Sequence, residues 1–402
     1  MKQRLEDLAI LGGKPTFEHQ LHVGRPNIGN RDFFLSQVNE VLDNRWLTNS
    51  GPKVNEFERK IEEYIGVKHA IAITNGTVAL ELLIRAAGIK GEVIIPSFTF
   101  VACAHAFQWQ EIKPVFCDID PNTHNIDPLE IEKHITPNTT AIMGVHLWGR
   151  SCNIEVLEQI SKKHNLKLMF DASHAFACSY KGKMIGNFGI GEVFSFHATK
   201  FFNTLEGGAI VTNDDELASK IRLMKNFGFQ GYDNVTYIGT NGKMNEISAS
   251  MGLTSFNSID SFIAKNKENY YLYKNEFDKI DGIKLIDYSD SERNNYQYIA
   301  CEIEEQKFGM SRTELIDILI KENILARKYF FPGIHKMEPY RSLYPYSSMF
   351  LQETEKLANK IISFPTGTAM DYNSIMLVTN LVSFIHQYAG EIKNKLQEAY
   401  VS

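Results

Sequence analysis

No apolar run in this 402-residue chain approaches the roughly 18 residues that a membrane span requires. The first residues, Met1-Lys2-Gln3-Arg4-Leu5-Glu6-Asp7, have no apolar core behind their positive charge, so no secretory signal is expected and a cytoplasmic location is. Cysteine is scarce. The five present (Cys103, Cys117, Cys152, Cys178, Cys301) are odd in number and lack the spacing that holds a metal, which predicts reduced, mostly buried thiols and no metal centre. Positive charge forms no stripe, and the formal net charge of -6 argues against nucleic acid as a partner. No fixed-period repeat or low-complexity tract is present. What remains is 44% hydrophobic and 22% charged, ordinary for a soluble globular protein. The length exceeds one typical domain, which predicts two domains sharing one cleft.

The first two-thirds alternates short apolar runs with segments of helical period. The runs are Ala70–Ile73, Glu92–Ile95, Pro114–Cys117, Ala141–Val145, Leu166–Phe170, Val193–Phe196 and Ala209–Val211, with helical segments such as 77–87 and 154–164 between many of them. Near-continuous apolar strands alternating with helices predict an α/β fold, a large, mostly parallel sheet covered on both faces. After Met244 the rhythm changes. A helix-compatible stretch runs over about 246–280, scattered strands follow, and an amphipathic segment spans about 374–399. The expected division is an N-terminal segment with the large domain over 1–245, and a smaller α+β domain over 246–402.

In an open α/β sheet, ligands bind beyond the carboxyl ends of the strands. Two residues at such ends suggest a chemistry. Lys200 follows Val193-Phe194-Ser195-Phe196-His197-Ala198-Thr199 and precedes Glu206-Gly207-Gly208, while Asp171 closes an earlier apolar run. An amine that can form an imine and a carboxylate that can face a pyridinium nitrogen are what a pyridoxal 5'-phosphate (PLP) enzyme needs. The flanking Phe196, Phe201 and Phe202 could desolvate the amine and lower its pKa. Alone, each residue has an ordinary alternative, a solvated lysine or a turn aspartate. Gly76 and Thr77 open a helix, where backbone amides bind phosphate, and Ser195 could add a hydroxyl. Phe100 could stack on a planar ring, and His174 could approach it; a core phenylalanine and a structural histidine are the alternatives. Asn241, in the turn before the long helix, could reach a phosphate across a subunit boundary. Trp46, Arg327, Lys328, Tyr329 and His335 are candidates for a nucleotide-sugar ligand, since aromatics stack on bases and cations meet diphosphates; surface or interface roles would account for them equally.

These residues together resemble the DegT/DnrJ/EryC1/StrS sugar aminotransferase family. The resemblance begins near Leu11-Gly12-Gly13-Lys14-Pro15, includes Leu47-Thr48-Asn49-Ser50-Gly51-Pro52, and runs through the strand-end motifs to 241–252. It implies an aspartate aminotransferase-like fold and PLP as cofactor. It implies Lys200 as the cofactor-bearing, catalytic lysine and Asp171 as the pyridinium partner, with His174 near the ring and Phe100 stacked on it. Gly76, Thr77 and Ser195 match phosphate binders, and Asn241 matches a phosphate contact from a neighbouring subunit, which implies a homodimer. Lys243 stands where many relatives have arginine, so a bidentate contact is lost there. The presence of Lys200 separates the chain from the family's dehydratases. The runs His22–Asn27 and Ser195–Asn203, with His197 as a further substrate candidate, are most similar to the C-4 aminotransferases. Those transfer an amino group from L-glutamate to the dTDP-linked keto sugar dTDP-4-keto-6-deoxyglucose. Amination of a 3-keto sugar is the enzymatic alternative, and a non-catalytic PLP-binding regulator the remote one, since no segment resembles a DNA-binding module.

Overall fold

The computed structural model describes residues 2–401, with side chains described through 398. Its centre is a seven-stranded sheet built from β1 (His69–Ile73), β2 (Glu92–Pro96), β3 (Lys113–Cys117), β4 (Thr139–Val145), β5 (Lys167–Asp171), β6 (Glu192–Ser195) and β7 (Gly208–Thr212). The order across the sheet is β1-β7-β6-β5-β4-β2-β3. Only β7 runs against its neighbours; the other pairings are parallel. Each expected run lies within its strand or overhangs it by one residue. The side chains of these strands are almost wholly buried, as the continuous apolar pattern requires. Two apolar clusters cover the two faces, one containing Leu80, Leu83 and Phe107, the other Phe57, Phe176 and Phe202.

Four helices matter for the site: α1 (Pro52–Ile65), α2 (Gly76–Ala86), α3 (Ala102–Gln108) and α4 (Glu246–Phe277). Helix α4 has 32 residues and belongs to both halves of the molecule. Its first turns press on α1 so closely that a Cβ on Gly252 would stand 2.4 Å from the Phe57 ring. Its last turns carry Tyr270, Tyr273 and Phe277 into a third apolar cluster with Ile299 and Phe364. That cluster covers an antiparallel three-stranded sheet of β8 (Ile283–Leu285), β9 (Ile299–Ile303) and β10 (Ile361–Phe364).

The expected boundary needs correction at both ends. Leu8 and Leu21 belong to the small-domain cluster, and Leu21–His22 pairs with Ile324–Leu325. The fully buried Glu322 carboxylate accepts the amides of Ala9 and Thr16, each at 2.7 Å, and pairs with Lys2 at 2.9 Å. A buried carboxylate needs several donors, and the N-terminal segment supplies them. That segment therefore packs on the small domain, and the junction at 245/246 falls where one continuous helix begins. The single amphipathic segment expected near the C-terminus is two helices, Tyr372–Gln387 and Ala389–Val401. No helix among the described residues is long and apolar enough to cross a membrane.

Candidate active site

The carboxyl ends of β1, β2, β4, β5 and β6 open on one edge of the sheet. At the end of β1, the Asn75 side chain caps α2 by accepting the Val78 amide at 2.9 Å. The Gly76 and Thr77 amides of the first turn then have no partner within the helix, and the helix dipole favours an anion beside them. Ser195, the last residue of β6, closes the other side, where a Cβ on Gly76 would lie 3.1 Å from its Cβ. Gly208 makes that approach possible, because a side chain there would meet the Gly76 nitrogen at 2.9 Å. Two free amides and a hydroxyl thus converge on a space suited to a phosphate.

Asp171 ends β5 and is 6% exposed. One carboxylate oxygen accepts the Ser173 amide at 2.9 Å, and the other accepts the Cys103 thiol at 3.0 Å. Burial, reinforced by Asp171, pushes the Cys103 thiol far above its usual range, so it remains a donor. Lys200 lies in the bend after β6, its amide bonded to the His197 carbonyl at 2.8 Å. Desolvation pulls its amine down from 10.5 to about 8, against the opposing attraction of Asp171. A substantial fraction of the amine is therefore neutral near physiological pH, as a nucleophile requires.

His174 is nearly buried, and burial together with the Lys200 charge depresses its pKa strongly, leaving the ring neutral. Its Nδ1 accepts the Trp148 amide at 3.2 Å, which assigns the proton to Nε2. Trp148 and Phe330 lie nearly parallel to it at centroid distances of 6.0 Å each. A second half of the site comes from the small domain. Tyr298, immediately before β9, brings its hydroxyl to 3.4 Å from the Lys200 Nζ. Phe100 is 57% exposed, with its ring 6.4 Å from Phe330, and lines an open cleft with Ile316, Arg327, Lys328, Tyr329 and Phe331. Arg327 and Lys328 lie against the rings of Tyr329 and Phe331 and form no ion pair among the described residues.

The site therefore gathers Lys200, Asp171, His174, Ser195, Gly76 and Thr77, and places Phe100, Arg327 and Tyr329 at its apolar mouth. His197 is about half exposed beside them, its Nδ1 2.8 Å from the Thr199 hydroxyl and its Nε2 3.4 Å from Glu206. Trp46 and Asn241 are exposed and form no side-chain hydrogen bond with any of these groups. His335 departs from expectation. It is 2% exposed, with Nδ1 2.7 Å from the Ser97 hydroxyl and Nε2 3.3 Å from Glu355. Nδ1 ties the end of β2 to the small domain and Nε2 faces Glu355 within that domain, so both ring nitrogens are engaged. Sequence reasoning missed Cys103 and Tyr298. Cys103 lies three residues after Phe100, one helical turn into the same motif; Tyr298 carries no local signal.

The residues fit PLP: an amine for its aldehyde, a carboxylate for its ring nitrogen and an anion cradle for its phosphate. Among the described residues no cluster is suited to a metal ion. The model of the DegT/DnrJ/EryC1/StrS aminotransferase family matches residues 29–383, and the chain belongs to that family. It is 38% identical over 365 residues to a dTDP-4-amino-4,6-dideoxy-D-glucose transaminase of Shigella dysenteriae, covering 91% of this chain and 99% of that protein. It is 33% identical to a dTDP-3-amino-3,6-dideoxy-alpha-D-galactopyranose transaminase of Aneurinibacillus thermoaerophilus, covering 86% and 93% of the two chains. A crystal structure of DesI in the presence of its TDP-sugar product superimposes with a TM-score of 0.93 at 42% identity, covering 98% of this chain and 100% of that one.

Proposed function

We propose that the chain is a PLP-dependent transaminase that moves the amino group of L-glutamate to dTDP-4-keto-6-deoxy-D-glucose, giving dTDP-4-amino-4,6-dideoxy-D-glucose. The observation that carries this reading is the Lys200 amine, brought to a pKa of about 8, in the same site as the buried Asp171 carboxylate. PLP bound there supplies an electron sink for the carbanion formed at the donor carbon. Asp171 would keep the ring nitrogen protonated by a charge-assisted hydrogen bond. The freed Lys200 amine takes the Cα proton of glutamate in the first half-reaction and delivers a proton to C4 of the sugar in the second. Glutamate leaves as 2-oxoglutarate, and the keto carbon ends as an amine-bearing C–H. Gly76, Thr77 and Ser195 would hold the phosphate, and Phe100 would stack on the ring.

The acceptor assignment draws on the relatives that make dTDP-4-amino-4,6-dideoxyglucose and on the mouth of the cleft. Arg327 and Lys328, cations without acidic partners among the described residues, suit a diphosphate, and the aromatic rings beside them suit a base. Amination at C-3 is the second reading, favoured by the similarity to the C-3 transaminase. The working unit is a homodimer in this proposal, with Asn241 reaching the neighbour's phosphate. Trp46 and Leu47 stand about half exposed beside the start of α4, where the Glu246 amide meets the Leu47 carbonyl at 3.0 Å, and would be covered on association. Mass analysis and NMR of the product formed from the 4-keto sugar nucleotide, glutamate and PLP test the assignment. An amine at C-4 supports it; no product, or reaction only with a 3-keto sugar, refutes it.

A further inference from the structure

We propose that Tyr298 is the residue that holds the Lys200 amine in place while that amine carries the transferred proton. The inference rests on the reading of Lys200 as the cofactor-bearing lysine. Among the described residues, the only side-chain hydrogen-bond partner of the Lys200 Nζ is the Tyr298 hydroxyl, at 3.4 Å. The contact is long, as hydrogen bonds at a site without its ligand often are.

The tyrosine is not a free rotor. Its ring lies 4.6 Å from His174 and 5.2 Å from Trp148, centroid to centroid. The segment that bears it is bonded into the large domain. The Asn295 amide group donates to the carbonyls of His174 and Phe176 at 2.9 and 3.0 Å. The Gln297 amide group donates to the His174 carbonyl at 2.8 Å, and the Phe201 amide donates to the Gln297 Oε1 at 3.3 Å. These bonds tie the segment to the 174–176 stretch after Asp171 and to the residue after the lysine itself. A small-domain hydroxyl is thereby fixed against a large-domain amine.

Burial raises the phenol far above its usual range, with Tyr329, Tyr288 and Asp171 adding to the effect, so Tyr298 keeps its proton throughout. It is a neutral partner. Its oxygen accepts from the ammonium after Lys200 has taken the Cα proton, and its O–H can donate to the amine lone pair when Lys200 is neutral. The proton leaves carbon, rests on Nζ and returns to carbon, and Tyr298 ends as it began. The other ionisable groups facing the amine are Asp171, Cys103 and His174, and none of them makes a hydrogen bond to it.

Tyr298→Phe keeps the ring and its stacking and removes only the hydroxyl. Two measurements test the role: each half-reaction in single turnover, and the Lys200 pKa in PLP-free enzyme by competitive acetylation read by mass spectrometry. Both half-reactions should slow by about tenfold with KM for glutamate and for the sugar nucleotide unchanged, and the Lys200 pKa should fall by about half a unit, because a charge-assisted bond outweighs a neutral one. Slowing confined to the sugar half-reaction would make Tyr298 a substrate contact and overturn the proposal. So would an unchanged or raised Lys200 pKa, which is read without cofactor and stands apart from whether Lys200 carries PLP.

Discussion

The two halves of the site are built differently. The large-domain half consists of short polar groups at strand ends: Asp171 and Ser195 close strands, and Gly76 and Thr77 open the helix that follows one after a two-residue link. Their positions follow from sheet register and from close backbone approaches, with little freedom to adjust. The small-domain half consists of long side chains on connecting segments: Arg327, Tyr329 and Phe331 around an open cleft, and Tyr298 against the Lys200 amine. A rigid half suits one invariant task, holding a small aromatic cofactor. A loop-borne half suits recognition of a large ligand, because loops can change without disturbing the sheet. Tyr298 is the exception, a small-domain residue anchored to the chemical half.

Substitutions that strike the rigid half should impair both half-reactions, and those in the loop-borne half should impair only the one that uses the nucleotide sugar. The largest effect is expected at Lys200→Ala, with turnover reduced by roughly 10⁴-fold or more and PLP removable by dialysis, since no amine then moves the proton. Asp171→Ala should slow both half-reactions by on the order of 10²-fold, the scale of losing one preorganised charge. Arg327→Ala should raise KM for the sugar nucleotide by about tenfold, the loss of a charge-assisted contact, and spare the glutamate half-reaction; an equal effect on both would break the division. His335→Ala should lower stability by about 2 kcal/mol, because it removes the buried ring that pairs with the Ser97 hydroxyl and with Glu355, while a calorimetric melt of the Arg327 variant stays unchanged. The mildest expectation concerns pH. With the freed Lys200 amine near 8 rather than 10.5, the single-turnover glutamate rate should climb as the amine loses its proton and level off above about pH 8. A rate still climbing at pH 10 would contradict that environment.

The same contrast governs what could be read from the sequence. All seven strands of the large sheet were legible, because strands covered on both faces are short continuous apolar runs whatever covers them. Lys200 and Asp171 were legible because each sits at the end of such a run. The N-terminal segment was not, since its place depends on Glu322, more than 300 residues away in the chain. Tyr298 was equally hidden, 98 residues beyond the amine it meets. His335 was misread because a histidine among aromatics and cations looks the same whether it faces a ligand or satisfies a buried serine. Helix α4 read correctly as one long helix, but its pattern could not reveal that opposite ends serve different domains.

The central claim is that Lys200 carries PLP. Borohydride reduction of the holoenzyme, followed by proteolysis and mass mapping, should place a single pyridoxyl adduct on the peptide containing Lys200. An adduct on another lysine, or none, would contradict the account.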